Sequence, residues 1–594
     1  MEESEEEFIR KLFLPRNDSI DGFNEENEEE GLGSTEHLLK NAEKRFLGTT
    51  HQVRSPDLSL EEIALRFSQN KVPEDSSQVN AYMDSLVSNA VQDSVNTASP
   101  GMIGHMTSSL PYFMRPLSRL VTSMNQNCVK TETANTMTFL EREAMAQLHE
   151  KIYHLSTDFY QDMSQSSQNV LGVFTSGGTL ANVTALWVAR NVALGPKHDF
   201  KGVEQTGVFE ALVFHGYKGM TIIGSELLHY SMAKAADLLG IGLNSLHSIP
   251  FDEEYRVQVN LVEQAIQECR ENHIFVVAIL GIAGATETGS IDDLDKLADL
   301  AERYNVHFHV DAAWGGPCVF SRKYGGLLKG IERCDSVTVD GHKQLYMPMG
   351  CGLCFFRDPE SCLSIQKTAK YIIRKDSFDL GKFTLEGSRP ANAVFLHSNL
   401  NILGSRGYEI LVDRSIRMTR YMATRIGEHK DTFEIIADPA LNILLYRCLP
   451  KDPSKDIDEF NTEIQHIQTF QGRTFVSRTT IRHPKSKSPV VALRVVIANP
   501  LTFEADIDRV LQNQMEIVAD LEKTDIHHYP RFHASPVEVS PAKKEEPSYW
   551  QRYWKRMPRQ VKLLFKDDMQ VFLSSLVAPE LPLEDLDGLF SNKS

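Results

Sequence analysis

Between residues 170 and 360 the chain alternates helical patterns with short apolar runs, and this alternation restricts the fold more than any other feature. Val276-Val277-Ala278-Ile279-Leu280 is apolar without a break, as a parallel strand buried on both faces should be. Ser290-Ile291-Asp292-Asp293 reads as an N-terminal cap. The stretch after it puts Leu294, Leu297, Ala298, Ala301 and Tyr304 on one face, the spacing of a helix that covers a sheet. The expected class is therefore α/β, with a mostly parallel sheet and helices on both sides. Ligand sites of such sheets gather past the carboxyl ends of the strands. The residues just after each apolar run are therefore the ones to read for chemistry.

Three strand ends and one helix start carry chemistry. Val337 to Val339 reads as a strand that runs into Asp340-Gly341-His342-Lys343. Val306 to Val310 ends at Asp311-Ala312-Ala313, where small residues let a flat ligand approach the backbone. Phe174-Thr175-Ser176-Gly177-Gly178-Thr179 feeds a helix over Leu180 to Leu194, and a helix N-terminus offers free N–H groups to an anion. His229 precedes a Ser-capped helix that ends at Gly240. Each run alone has an ordinary reading: a solvated lysine, an acid capping a helix, a turn, a helix-start histidine.

Composition narrows the classes. Apolar residues make up 41% and charged residues 24% of 594, enough for more than one globular domain. The net charge of −18 argues against a general nucleic-acid or acidic-membrane binder. The eight cysteines form no framework, and Cys351-Gly352-Leu353-Cys354 opens an apolar strand without a second metal-spaced pair. Structural thiols in a reducing, cytoplasmic setting are expected, and no metal site. No basic-then-apolar leader and no run of 18 apolar residues is present, so no membrane insertion is expected.

In chain order the motifs supply a phosphate cradle, an aromatic stacker, a carboxylate and a lysine, the parts that a pyridoxal 5'-phosphate site requires. From about Gly101 to Pro500 the sequence resembles the group II pyridoxal-phosphate-dependent decarboxylases, which include glutamate, aspartate and aromatic amino-acid enzymes. The resemblance implies an aspartate-aminotransferase-like (type I) fold, with a large sheet domain, a smaller α+β domain and a homodimer or larger assembly. It gives Lys343 the imine to the cofactor aldehyde, a bond that needs a primary amine able to deprotonate, which arginine cannot supply. It sets Asp311 against the pyridine nitrogen, His229 on one ring face and Ala313 on the other. Gly178 and Thr179 would hold the phosphate, with Ser336 and His342 adding donors, and Thr286 would lie close to Asp311 and the ring.

Substrate recognition is expected at two positions. Arg494, in Ala492-Leu493-Arg494-Val495-Val496, resembles the arginine that binds a substrate carboxylate in the glutamate branch. An unpaired arginine in an apolar strand is costly to bury, which favours that role over an edge-strand residue. His105, in the turn Ser99 to Met106, matches a pocket-lining family segment, or is simply a turn histidine. Arg389 matches a family arginine of structural character. The runs Asp340 to Gly350 and Glu386 to Ala393 look closest to the aspartate 1-decarboxylase branch, which implies aspartate to β-alanine and pantothenate supply. Glutamate and cysteine sulfinate are alternative substrates; an aldehyde-forming reaction and a silent scaffold are the remoter readings. Many members carry a loop tyrosine that reprotonates the substrate carbon, and here only Tyr371 lies near that place. The acid is otherwise a different residue or one from the partner subunit.

The expected organisation is an acidic flexible arm over 1–55, with a short helix near Phe8 to Leu14. N-terminal helices at a dimer interface come next over 56–115, then the large domain over 116–387 and the small domain over 388–523. In the small domain, strands are expected over Leu441 to Cys448, Thr474 to Ser477 and Ala492 to Ile497. A C-terminal extension over 524–594 carries an apolar stripe from Val561 to Leu576, read as a docking helix, and a Trp/Tyr/Arg cluster near Tyr549 that could instead touch a membrane surface or partner.

Overall fold

The structure is a computed structural model that describes residues 4–13, 32–50, 52–55, 59–74, 77–369 and 377–523. The expected tail helix and Tyr371 lie outside the described residues. The larger sheet has seven strands: β1 (Gly172–Thr175), β2 (Gly219–Ser225), β3 (Leu246–Ile249), β4 (Ile274–Ile282), β5 (Phe308–Asp311), β6 (Ser336–Asp340) and β7 (Gly352–Phe356). Their order is β1-β7-β6-β5-β4-β2-β3, and only β7 runs antiparallel to its neighbours. The continuous apolar runs have the physical cause expected of them. Val276 to Leu280 and Val337 are each at most 6% exposed, because helices cover both faces.

Two covering helices show how the sequence encodes the layers. Gly178–Ala193 is buried on most of its circumference, at Ala181, Val183, Ala185, Leu186 and Val188. Leu294–Tyr304 is amphipathic and is capped by Asp293, whose carboxylate accepts from the Lys296 N–H at 3.2 Å. A long helix, Ala393–Glu428, leads out of the large layer and kinks at Gly404 (φ 61°), which divides it into two arms.

The smaller sheet is antiparallel: β8 (Phe433–Ala437), β9 (Ile443–Cys448), β10 (Ser477–Arg482) and β11 (Pro489–Val496), in the order β10-β11-β9-β8. Helices Ile457–Gln471 and Glu504–Leu521 bury Phe460, Ile464, Ile507 and Val510 in the same apolar cluster as Leu444 and Leu493. The strand expected over Thr474 to Ser477 is displaced to Ser477–Arg482. It is an edge strand in which only Ile481 is buried, so its polar residues resemble a loop.

The short helix expected near Phe8 to Leu14 is present, but it does not stand free as an arm. Glu5–Phe13 is a helix packed on the body: Ile9 is fully buried, and Glu5 pairs with Arg417 at 2.7 Å and Arg414 at 3.4 Å. A second helix spans Leu32–Gly48. The acidic run suggested a solvated arm because it outweighed the two apolar side chains, Phe8 and Ile9, that do the docking. Among the described residues no helix is long and apolar enough to cross a membrane.

Candidate active site

The carboxyl ends of β1, β5 and β6 open on one cavity of ≈ 360 Å³. Among the residues lining it are Gly178, Thr179, His229, Thr286, Asp311, Ala313, His342 and Lys343, which the sequence scatters from Gly178 to Lys343. A larger cleft of ≈ 970 Å³ lies between Ile291–Lys296 and Ile435–Ala440. Its charged walls pair locally, as Lys296 does with Asp293 and Lys329 with Asp295, and no lining side chain there buries an unpartnered polar atom.

Lys343 sits in the turn after β6, with its Nζ 2.8 Å from Asp340 Oδ2. Asp340 is 3% exposed, and its Oδ1 has no partner. It lies against the Gly-rich turn: a Cβ at Gly178 would fall 2.8 Å from Asp340 Oδ2, so the close approach admits only glycine there. The helix beginning at Gly178 leaves its first-turn amides without helical partners, facing the cavity. His342 donates from Nδ1 to the Cys351 carbonyl at 2.7 Å. Asp311 accepts from the Ala313 N–H at 3.1 Å and from Asn182 Nδ2 at 3.0 Å. His229 Nδ1 lies 2.8 Å from Ser231 Oγ, and burial, with Lys343 and Lys234 assisting against Asp311 and Asp340, lowers its pKa.

Ser336 is not among the cavity residues. It opens β6 at the far end of the strand, fully buried, with its hydroxyl engaged by His309 at 2.9 Å and His307 at 2.8 Å. The expectation that it donates to a phosphate fails because a strand places its first residue away from the carboxyl edge.

Arg494, on β11 of the small sheet, does not line the cavity itself and stands behind its wall at Thr286. Its Nε donates to the carbonyl of Thr286 at 2.8 Å and its Nη1 to Ser477 Oγ at 3.3 Å, while Nη2 is buried without a partner. Burial lowers its pKa to about 10, opposed by Glu287. Glu287 has a raised pKa from burial, and its Oε2 is also unpartnered. The Ser99 to Met106 segment threads beside β11: the Ile103 N–H donates to Phe475 O and its carbonyl accepts from Val496. Only a glycine fits at 104, where a Cβ would meet Ser477 N at 2.5 Å. His105 does not line the cavity, but burial first, and then the charges of Arg494 and Lys343, lower its pKa.

Sequence reasoning missed Asp340, Asn182 and Ser231. Asp340 was visible as an acid three residues before the lysine. Asn182 was visible as an amide inside an apolar helical stretch, where a polar side chain needs a buried partner.

A primary amine, an acceptor-only carboxylate, an imidazole and an anion-accepting helix start around one cavity match the aldehyde, ring nitrogen, ring face and phosphate of pyridoxal phosphate. The donor set fits that cofactor, and with this sheet it defines a type I pyridoxal-phosphate enzyme. Residues 64–448 match the pyridoxal-dependent decarboxylase conserved domain. The chain is 42% identical over 507 residues to an aspartate 1-decarboxylase of Aliivibrio fischeri, covering 83% of this chain and 92% of that protein. It is 26% identical over 431 residues to a cysteine sulfinic acid decarboxylase of Mus musculus, covering 70% and 82%. Its fold matches the structure of Oryza sativa TDC with PLP and tryptamine (TM-score 0.72, 18% identity, 84% of this chain and 100% of that one). The chain belongs to the pyridoxal-dependent decarboxylase family and is a carboxy-lyase.

Proposed function

We propose that this enzyme removes the α-carboxylate of an acidic amino acid, with L-aspartate as substrate and β-alanine as product. The observation that carries the reading is Arg494, a buried guanidinium with one nitrogen unpartnered, bonded to the cavity-wall carbonyl of Thr286. The 42% identity to an aspartate 1-decarboxylase supports it. An arginine fork grips a carboxylate with two parallel hydrogen bonds. A substrate held by its side-chain carboxylate has its Cα–carboxylate bond fixed in direction. That bond breaks, carbon dioxide leaves, and a proton taken from solvent replaces it on Cα.

When bound, pyridoxal phosphate supplies the electron sink for the pair left on Cα. In this reading Lys343 Nζ holds the cofactor aldehyde carbon, and Asp340 fixes that amine beside the cavity. Asp311 keeps the ring nitrogen protonated. His229 and Ala313 pack the two ring faces, Thr286 lies beside the ring, and Gly178, Thr179 and His342 hold the phosphate. His105 stands near Arg494 on the substrate side. Leu65, Phe67, Val72 and Val79 on the N-terminal segment are 58–91% exposed, which supports burial against a second copy in a homodimer. All eight cysteines are unpaired and buried, which fits a reducing cytoplasm. β-Alanine from this reaction would serve pantothenate synthesis.

Carbon dioxide release from a panel of amino acids tests the reading. Aspartate should be turned over fastest. Glutamate and cysteine sulfinate differ from it by groups that a pocket discriminates by about 1–3 kcal/mol, so they are the relevant competitors. Preference for an aromatic or basic amino acid would overturn the proposal.

A further inference from the structure

One buried amide joins the two cofactor-facing groups. Asn182, 1% exposed, lies 3.0 Å from Asp311 Oδ2, 2.9 Å from Ser231 Oγ and 3.0 Å from His309 Nε2. A carboxylate only accepts, so the Asn182 atom facing Asp311 is the amide nitrogen. That nitrogen has two protons, and both are committed, one to Asp311 and one to Ser231. The Ser231 hydroxyl therefore accepts from Asn182, and its own proton goes to His229 Nδ1 at 2.8 Å. The Ser231 backbone N–H also points at Nδ1, at 3.3 Å. His229 Nδ1 is an acceptor twice over, which leaves the ring neutral with its proton on Nε2.

The other end of the amide is equally determined. Asn182 Oδ1 accepts, so His309 carries its proton on Nε2 and accepts at Nδ1 from the Ser336 hydroxyl. Ser336 then accepts from His307 Nε2. Every proton in the chain His307, Ser336, His309, Asn182 points toward the site. Burial, first among the causes, holds His309 down to about 4, so it stays neutral at ordinary pH.

We propose that Asn182 is a positioning residue whose single amide both fixes the Asp311 carboxylate as a hydrogen-bond acceptor in one orientation and sets the Nε2–H tautomer of His229. This rests on both groups facing the cofactor ring, Asp311 at its nitrogen and His229 on one face, as proposed above. Its physical basis is that aligned donors strengthen one another in a low-dielectric interior, so the Asn182 amide holds its acceptors in one arrangement. Ser336 belongs to this relay.

The test compares the wild-type holoenzyme with Asn182→Leu, nearly isosteric without donors, and Ser231→Ala, which cuts only the His229 arm. Ring ¹⁵N signals of labelled histidine, assigned with His229→Gln, report the tautomer with or without cofactor. The visible absorption of bound cofactor, followed against pH, reports the Asp311 arm. The groups facing His229 are Asp311, Asp340, Lys343 and Lys234, and none is altered. Wild-type His229 should show the Nε2–H pattern, unchanged from pH 6 to 9. Ser231→Ala should convert it to a mixed, titrating pattern and leave the cofactor bands as they were. Asn182→Leu should move both signals and lower turnover about 10- to 100-fold, as loss of a supporting hydrogen bond does at other sites. If Ser231→Ala leaves the tautomer unchanged, or if Asn182→Leu lowers stability without moving either signal, the relay is wrong. The tautomer measurement on cofactor-free protein stands apart from the cofactor reading, so failure of one is distinguishable from failure of the other.

Discussion

Two buried arginines, Arg389 and Arg494, are each 8% exposed and end in opposite arrangements. Arg389 meets Glu141, itself 2% exposed, through two nitrogens at 2.6 Å from its two oxygens. Burial lowers the Arg389 pKa, but the Glu141 charge and hydrogen bonds more than offset it, and the net shift is upward. Arg494 has a carbonyl, a hydroxyl and an unpartnered nitrogen, and among the described residues no carboxylate lies within ion-pair distance. Its pKa falls to about 10. One charge is closed inside the fold by a carboxylate, and the other is left without one behind Thr286, a residue of the cavity wall. A desolvated, uncompensated guanidinium costs stability unless an anion completes it. The same contrast separates the two halves of the site: Asp311 has its protein partners in place, whereas the Arg494 side lacks one.

Arg389→Met and Arg494→Met should break the pair apart most widely. Arg389→Met strands Glu141 in the interior and should cost about 3–5 kcal/mol of stability. It should appear as a lower denaturation midpoint, with activity lost only as the fold is lost. Arg494→Met should leave the midpoint unchanged or raised, because the penalty goes with the charge. Its kcat/KM on aspartate should fall on the order of 10²- to 10⁴-fold, the value of a charge-assisted bidentate contact. Cofactor absorption should stay intact. Equal destabilisation by the two changes would remove the distinction.

On the closed half of the site, Asp311→Asn removes the charge proposed to hold the ring nitrogen protonated while keeping the volume. Turnover should fall on the order of 10²- to 10³-fold with cofactor still bound. Near-normal turnover would mean that Asp311 only shapes the cavity.

Acid should act on the closed regions. His149 and His309 are both buried, and burial pushes each down to about 4 from an ordinary 6.5. The unfolded chain takes up protons below pH 6.5 that the folded chain refuses. Stability from these groups is therefore full above pH 6.5 and is lost as pH falls toward 4, by roughly 3 kcal/mol for each. Denaturant midpoints measured between pH 7 and 4.5 should show the loss, and His149→Phe should reduce it. A flat profile would place charged histidines in the fold.

Much of the fold and site is legible in the sequence, because strand ends carry both pattern and chemistry. Val337 to Val339 and Val276 to Leu280 announce buried strands; Lys343 lies just past the end of one strand, and Asp311 is the last residue of another. What the pattern could not show was depth along a strand. Ser336 and Asp340 are four residues apart in one strand, and only the second reaches the cavity. Nor could it show which polar residue inside a helix had a buried partner, as Asn182 does. Thr479 to Arg482 was hidden for a different reason: an edge strand with one buried residue has no alternation to read.

A third buried arginine lies between the two extremes and yields the smallest expected effect. Arg414 is 5% exposed, donates to the Thr502 carbonyl at 2.9 Å, lies over the Phe503 ring at 4.5 Å and reaches Glu5 at 3.4 Å. Its only carboxylate partner among the described residues comes from the N-terminal helix. That helix also buries Ile9 fully and sets Phe8 against Gly407, where an added Cβ would come within 2.9 Å. The acidic N-terminus therefore closes a charge on the body, although its sequence suggested a free arm. Deleting residues 1–13 should expose Arg414 to water. Water can then solvate it, so the cost should be about 1–3 kcal/mol, mostly from the lost apolar contacts of Phe8 and Ile9. Glu5→Gln alone should cost less than about 1 kcal/mol, since its contact with Arg417 is half-exposed. Cofactor absorption and kcat on aspartate should be unchanged in both variants, measured beside their denaturation midpoints. A loss of cofactor on deletion would show that the helix supports the site, and Arg414 would then belong with Arg494 rather than with Arg389.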